Sequence, residues 1–293
     1  MTRGTATTTD YTIRTDDGAD LAVTDLPPLR STTPVSNEPF PVVLVHGWAA
    51  SRRVWGVVAD RLVRSGHRVV CYDQREHGLS SGGREPISLQ RLAADVAIVL
   101  DRTVGTDPAV LVAHSGGGFA ALTHVCTVPE QANTRLGGLV LAATAAHGQD
   151  TPEREVRMMG SALFTRALAR PGLGRRFLRR TMGKRVDPTV LDVNRQMFVA
   201  TTPRVRAACF GSTMGMDLRP RLSSVRVPAV VLSGSVDRIV PSKLGWTVAQ
   251  NLPDARFLEL PDTGHMLPLE APHQIVDSVT GLTARRESET TAP

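Results

Sequence analysis

A serine, an aspartate and a histidine follow one another along the chain in the order of a nucleophilic triad: Ser115, Asp237 and His265. A serine hydroxyl is a weak nucleophile, so it needs a base, commonly a histidine whose second ring nitrogen is held by a carboxylate. This order occurs where the serine lies on a sharp turn between a strand and a helix. The three residues therefore predict acyl transfer, with Ser115 as nucleophile, His265 as base and Asp237 as the acid that orients the histidine.

The segment around Ser115 has the pattern of such a turn. The apolar run Ala109–Ala113 ends two residues before the serine, three glycines follow it, and a helical pattern then begins. The strained turn requires small residues two positions on either side, which Ala113 and Gly117 supply. The N–H of Gly116 would lie at a helix N-terminus, where an oxyanion could be bound. Taken alone, the motif also fits a glycine-rich turn with a capping serine.

Both expected partners of the serine follow strand patterns. Asp237 comes after the run Ala229–Ser233, and His265 comes after Ala255–Leu260. In open α/β sheets, ligands bind at the carboxyl ends of the strands, so both residues are placed where a site is expected. Asp262 is a rival acid because it is close to the histidine in sequence, although a loop aspartate usually caps a turn.

Eight strand patterns alternate with helical patterns over most of the 293 residues. This alternation predicts an α/β fold with a mostly parallel eight-stranded sheet and helices on both faces. The alternation is interrupted after the sixth strand, where helical pieces replace strands. We therefore predict a core in two parts, residues 1–146 and 207–293, with a helical lid or cap at 147–206 inserted between them.

Taken together and in order, four sequence blocks resemble the α/β-hydrolase superfamily, in its branch of serine esterases and cofactor-free haloperoxidases. The resemblance extends from about Tyr11 to Leu282 and implies the α/β-hydrolase fold. The blocks are VLVHGW at 43–48, YDQREHGLSS at 72–81, VAHSGGG at 112–118, and GSVDRIVP at 234–241 with DTGH at 262–265.

The resemblance implies a second oxyanion donor, the backbone N–H of Trp48, beside that of Gly116. The Trp48 side chain is expected to line the acyl pocket, and simple core packing is the alternative. The residues expected to line the substrate pocket are Trp48, His114, Phe164 and Met266.

The block at 72–81 is structural in similar proteins, so structural roles are implied for Asp73, Arg75 and His77. Asp73 also lies at a strand end and is thereby a second rival acid. Glu76 stands where the family pattern has glycine, so the exact loop shape of the family does not follow from the resemblance at this position. His46 and His114 flank the site, and both are expected to shape loops rather than to act as bases.

The predicted lid contains most of the excess positive charge. Thirteen Lys or Arg residues and five Asp or Glu residues lie between Asp150 and Arg206, in a chain of net charge +6. The arginines are either a solvated helix face or an attraction for an anionic substrate, an acyl carrier or a membrane surface. Apolar side chains on the lid helices are expected to cover an apolar pocket: Met158, Met159, Leu163, Phe164, Ala167, Leu168, Leu173, Phe177 and Met197.

Composition excludes several other classes. No apolar stretch reaches the length of a membrane span, and basic residues do not alternate with stacking aromatics as in nucleic-acid binding. Three cysteines at unrelated spacings form no metal motif or disulfide framework, and no nucleotide-binding glycine motif is present. Because the first residues also have no apolar signal segment, a cytoplasmic protein without metal or cofactor is expected.

The expected activity is hydrolysis of a carboxylic ester on a small, apolar acyl substrate. A thioesterase, acyltransferase, lactonase or perhydrolase would use the same triad and the same acyl-enzyme, and a non-enzymatic ligand receptor could use the same fold. Haloalkane dehalogenases and epoxide hydrolases are similar to this chain but have an aspartate as nucleophile. Ser115 at the turn argues against both.

Overall fold

The computed structural model describes residues 7–29, 39–184 and 186–290. Eight strands in this part of the chain form one sheet, in the order β1-β2-β4-β3-β5-β6-β7-β8. The strands are β1 (Thr9–Arg14), β2 (Asp20–Leu26), β3 (Val42–Val45), β4 (Val69–Tyr72), β5 (Ala109–His114), β6 (Leu136–Ala142), β7 (Ala229–Gly234) and β8 (Ala255–Leu260).

The sheet is antiparallel at one edge and parallel elsewhere. β1 pairs with β2 and β2 with β4 in antiparallel register, while every pairing from β4 to β8 is parallel. Every residue of β3, β4, β5, β6 and β7 is buried, which explains why their sequences are continuous apolar runs rather than alternating ones. The predicted mostly parallel eight-stranded sheet is confirmed.

Helices cover both faces of this sheet. α1 and α13 contribute to the core on one face, and α2, α3 and α11 to the core on the other. The helices are α1 (Gly56–Arg64), α2 (Leu89–Thr103), α3 (Gly116–Thr127), α4 (Pro129–Arg135), α5 (Glu153–Met159), α6 (Ala162–Ala169), α7 (Pro171–Leu178), α8 (Pro188–Ala200), α9 (Pro203–Gly211), α10 (Arg219–Leu222), α11 (Ser242–Asn251), α12 (Leu267–Glu270) and α13 (Pro272–Thr290).

Six of these helices, α5 to α10, lie between β6 and β7, and residues 153–211, which contain α5 to α9, are called the helical insertion below. A lid role for this region, with the bounds 147–206, stays a prediction. The sequence patterns did not indicate α4, which begins with Pro129 at its first turn and buries only Ala132. A helix without an apolar stripe leaves no periodic signal.

A buried arginine joins three elements beside the sheet. The Arg75 guanidinium, 1% exposed, donates to Asp17 in the β1–β2 turn at 2.9 and 3.0 Å and to Asp95 of α2 at 2.6 and 2.8 Å. Hydrogen bonding to Arg75 holds the pKa of Asp17 well below its usual range. Burial raises the pKa of Asp95 despite the same partner. The loop that follows β4 is thereby fixed to the core.

We expect Arg75→Met to lower the free energy of unfolding by about 3–5 kcal/mol, because it leaves two buried carboxylates without their cation. Urea denaturation followed by circular dichroism measures the change. Arg64→Met, which breaks an exposed pair with Asp60 on α1, is the control and should leave the urea midpoint unchanged. Equal midpoints for the two variants would contradict the assignment of Arg75 to a buried network.

Candidate active site

Ser115 lies on the sharp turn between β5 and α3, in a strained backbone conformation. Its φ of 50° and ψ of −119° are values that residues with a side chain rarely adopt. The Ser115 N–H donates to the carbonyl of Ala142 at 2.9 Å, and the Thr144 hydroxyl donates to the Ser115 carbonyl at 3.0 Å. A Cβ on Gly117 would come within 2.3 Å of the His46 carbonyl oxygen, so this position requires glycine.

The structure brings the three predicted triad residues together. The Ser115 hydroxyl lies 2.9 Å from Nε2 of His265, and Nδ1 of the same ring lies 2.8 Å from Oδ2 of Asp237. One tautomer satisfies both contacts: Nδ1–H donates to the carboxylate, and Nε2 accepts from the hydroxyl. All three residues are buried. The arrangement allows the imidazole to take the serine proton while the carboxylate stabilises the charged ring.

The carboxylate of Asp237 is held by its own loop after β7. Its Oδ1 accepts the backbone N–H groups of Ile239 at 2.8 Å and Val240 at 3.0 Å. Its Oδ2 is then directed at His265. The two backbone donors therefore fix the orientation of the carboxylate toward the imidazole.

Two further histidines beside the site are neutral. Nε2 of His114 donates to the His265 carbonyl at 2.8 Å, and burial lowers the pKa of His114 to about 3. Nδ1 of His46 donates to the Gly47 carbonyl at 2.6 Å, while its Nε2 accepts the Gln74 N–H at 2.9 Å. Burial holds the pKa of His46 well below its usual range. Both rings therefore fix backbone near the site, as the sequence indicated.

The two rival acids have other partners. Asp262 is exposed and pairs with the Lys184 ammonium at 2.5 Å. Asp73 is buried, accepts the backbone N–H of Arg52 at 2.7 Å and pairs with the guanidinium of the same arginine. Among the carboxylates that the structure describes, Asp237 is the one that contacts the His265 ring.

The loop after β4 supports the loop after β3. Nδ1 of His77 donates to the Arg75 carbonyl at 2.9 Å, and its Nε2 accepts the Ala49 N–H at 3.2 Å. Glu76, at the family's glycine position, has a φ of 60°, so the loop keeps a conformation that glycine would favour. The Glu76 carboxylate also pairs with Arg204 of α9, which links this loop to the helical insertion.

The two residues that carry the predicted oxyanion donors, Trp48 and Gly116, lie in contact next to Ser115. A Cβ on Gly116 would come within 2.4 Å of the Trp48 indole ring, so the ring packs directly on the start of α3. The Gly116 N–H belongs to the first turn of that helix, whose donors have no acceptor within the helix. A Cβ on Gly47 would lie 3.1 Å from the Ser115 Cβ, which places the Trp48 loop next to the serine.

A cavity of about 770 Å³ opens onto Ser115 and His265. Trp48, His114 and Met266 line it as expected, but Phe164 does not. The Phe164 ring packs edge-on against Phe177 with centroids 5.1 Å apart, because α6 faces α7 rather than the cavity. The sequence did not identify several apolar residues of the wall, which are separated along the chain: Phe119, Leu178, Phe198, Phe210, Ile239, Val240 and Leu244.

The described residues carry neither a metal-ligand cluster nor a helix suited to a bilayer. Within residues 7–29, 39–184 and 186–290, no three His, Cys, Asp or Glu residues are grouped so that they could hold a metal ion. None of the helices in this part of the chain combines the length and apolarity that a bilayer crossing requires.

Known proteins of one family are similar to this chain. A model of the Alpha/beta hydrolase family matches residues 42–278. The bifunctional esterase/perhydrolase DCH of Acinetobacter calcoaceticus is 26% identical over 272 residues, covering 87% of this chain and 93% of that protein. A pimeloyl-acyl-carrier-protein methyl ester esterase of Xanthomonas campestris is 28% identical over 247 residues, covering 81% of this chain and 92% of its own.

The solved structure of an esterase is also similar to this chain. The thermophilic esterase from Thermogutta terrifontis, solved with malate bound, superposes with a TM-score of 0.72 at 26% identity. The superposition covers 97% of this chain and 98% of that one. The likeness therefore includes the helical insertion as well as the sheet.

The strained backbone at Ser115 generates a stability prediction. We expect Ser115→Gly to be more stable than Ser115→Ala by about 1 kcal/mol, because glycine relieves the positive φ and alanine does not. Both variants lose the hydroxyl, so their difference isolates the backbone effect. Urea denaturation of the pair measures it, and an alanine variant as stable as the glycine variant would show that the turn is unstrained.

Proposed function

The chain belongs to the Alpha/beta hydrolase family and is an enzyme of the ester-hydrolase type, and from this premise we propose that it cleaves a carboxylic ester through an acyl-enzyme on Ser115. The observation that carries the proposal is the pair of hydrogen bonds from Ser115 to His265 and from His265 to Asp237. Together they supply a nucleophile, a base and an orienting acid in contact.

The proposed reaction has two halves. Nε2 of His265 takes the Ser115 proton while the serine oxygen attacks the ester carbonyl carbon, and the N–H groups of Trp48 and Gly116 stabilise the oxyanion. The carbonyl reforms as the alcohol leaves with the proton from His265, which produces the acyl-enzyme. A water then gives its proton to His265 and attacks the acyl carbon, and the free acid and the serine hydroxyl are regenerated.

The cavity supports an acyl group of apolar character. Its wall includes five aromatic side chains, and its volume of about 770 Å³ is within the range of sites for small molecules. Trp48 lies at the centre of this aromatic group, with its ring centroid 5.3 Å from that of Phe119 and 5.5 Å from that of Phe210. An acyl chain bound here would lose water contact along most of its length.

We expect a fluorophosphonate probe to modify Ser115 and no other residue, because the probe reacts with a serine oxygen that a nearby base activates. Peptide mass spectrometry locates the label, and Ser115→Ala should remove it. Asp237→Asn should lower kcat by about 10⁴-fold because the ring loses its orienting charge. Asp262→Asn, which removes the rival acid, should keep kcat close to wild type.

The same experiment separates the alternatives. Labelling elsewhere, or no labelling of folded protein, would refute the proposed serine mechanism. A non-enzymatic receptor would retain p-nitrophenyl esters without releasing nitrophenol. Rates are then compared with thioesters and lactones as substrates, and with alcohols and hydrogen peroxide as acyl acceptors. This comparison ranks the reactions that share the acyl-enzyme, including the perhydrolysis named for the relative from Acinetobacter.

Charged residues on the cavity wall favour an ester that also bears an anionic group. Arg180, Arg238 and Lys243 line the cavity, are exposed, and form no ion pair with any residue in the described ranges. Two acids also line it, and Oδ1 of one of them, Asp150, accepts the backbone N–H of Gly215. The similar thermophilic esterase was solved with malate bound.

We expect the double variant Arg238→Gln, Lys243→Gln to lower kcat/KM about threefold or more for a p-nitrophenyl ester with a terminal carboxylate. A neutral ester of equal length should be unaffected, because the variant removes only attraction for the charge. The measurement is made at low and high salt, since exposed charges are screened. Arg102→Gln at the end of α2 is the control, because it removes a positive charge away from the cavity. If the double variant keeps the wild-type ratio of kcat/KM between the anionic and the neutral ester, an anion preference is excluded.

A further inference from the structure

One carboxylate next to the catalytic loop accepts three backbone N–H groups. Oε2 of Glu270, the last residue of α12, accepts the N–H of Gly183 at 2.5 Å and that of Gly264 at 3.0 Å. Its Oε1 accepts the N–H of Met266 at 2.9 Å. Gly264 and Met266 are the two neighbours of His265 in the chain, so both sides of the base are bound to one half-buried side chain.

The third donor belongs to a different part of the molecule. Gly183 lies in the helical insertion, in a segment that runs beside the His265 loop. The His265 N–H donates to the Thr181 carbonyl at 2.7 Å, and the Lys184 N–H donates to the Asp262 carbonyl at 2.9 Å. Residues 181–184 and 262–266 are therefore joined by backbone hydrogen bonds on either side of the Glu270 carboxylate.

The two segments approach too closely for side chains between them. A Cβ on Gly264 would come within 2.3 Å of the Met182 carbonyl carbon, and one on Gly183 would come within 2.2 Å of the Asp262 carbonyl oxygen. At this close approach the N–H groups of Gly183 and Gly264 converge on the same Glu270 oxygen. An acceptor with negative charge satisfies them at once, because hydrogen bonds to a charged group are the stronger kind.

We propose that Glu270 is a positioning residue for the base: it fixes the His265 backbone against the helical insertion, so that the imidazole meets both Ser115 and Asp237. This inference rests on the proposed function. The insertion segment that Glu270 holds also continues from Leu178 and Arg180, which form the cavity wall. The Glu270 carboxylate thus fixes the position of His265 relative to the adjacent cavity wall.

The carboxylate is specifically suited to this position. Three N–H donors need acceptor lone pairs, and the two oxygens of a carboxylate provide about four. Glutamine at the same position would present an NH₂ group to at least one of the three donors, leaving a donor facing a donor. We expect Glu270→Gln to preserve the size of the side chain while shifting the His265 backbone.

The experiment compares purified Glu270→Gln with wild type on p-nitrophenyl esters. We expect kcat to fall about 10- to 100-fold with KM changed less than about threefold, since a small misplacement of a catalytic group is costly while substrate binding is retained. The rate of fluorophosphonate labelling at Ser115 should fall by the same factor. The low-field proton resonance of His265 Nδ1–H, assigned by its loss in His265→Ala, should shift or broaden.

Two control variants separate this role from general effects. Glu130→Gln removes the same charge from the exposed first turn of α4, and Lys184→Ala removes the exposed pair with Asp262 while leaving Glu270 in place. Both should keep the wild-type kcat and proton resonance. If Glu270→Gln does not fold, Glu270→Asp keeps the charge but is one methylene too short to reach all three donors, and it should show the same loss of kcat.

The outcomes distinguish the two proposals. Wild-type protein whose Ser115 resists the fluorophosphonate would overturn the proposed function, and the His265 proton resonance would still test the positioning role. A folded Glu270→Gln variant with wild-type kcat and an unshifted resonance would overturn the positioning role alone. A lower melting temperature with unchanged kcat per titrated active site would likewise assign Glu270 to stability rather than to the base.

Discussion

The backbone of Ser115 is held in a conformation that the chain would not adopt on its own, and the rest of the site is built around that strain. A conformation of this kind costs of order 1–3 kcal/mol and persists only where its surroundings fix it. Here the fixing contacts come from the Ala142 carbonyl at the end of β6, from the Thr144 hydroxyl in the loop after β6, and from the close approach of the β3 loop to Gly117. As a result, the Ser115 hydroxyl projects from the carboxyl edge of the sheet toward the His265 imidazole.

The histidines around the triad leave the His265 ring without a positively charged histidine neighbour. His46 and His114 are neutral because burial lowers the pKa of each. The Asp237 carboxylate accepts two backbone N–H groups with one oxygen and faces His265 with the other. In the proposed reaction, the positive charge that His265 gains therefore lies beside the Asp237 carboxylate and beside no second positively charged histidine. Burial and backbone donors together produce this arrangement.

The sequence predicted those parts of the molecule that depend on local patterns. Continuous apolar runs identified the parallel strands because both faces of each strand are buried. The sequence also predicted the turn at Ser115, because the residues two positions on either side of the serine must be small. Phe164 was expected in the cavity wall because helical periodicity shows which side of α6 is apolar, but not which neighbour that side meets. Phe119 and Phe210 line the cavity because of tertiary packing, which cannot be predicted from the spacing of residues along the chain. Glu270 was missed for the same reason, since its three donors come from separated segments.

The helical insertion is attached to the core unevenly. Next to the base, backbone hydrogen bonds and the Glu270 carboxylate hold residues 181–184, and at α9 the pair between Arg204 and Glu76 provides a second attachment. By contrast, α5 has no buried side chain, although Met159 at its end lines the cavity. Segments with few buried contacts open at lower free energy than those joined by buried hydrogen bonds. The cavity wall next to His265 is therefore joined by backbone hydrogen bonds to the loop of the base, whereas at α5 it consists of partly exposed side chains.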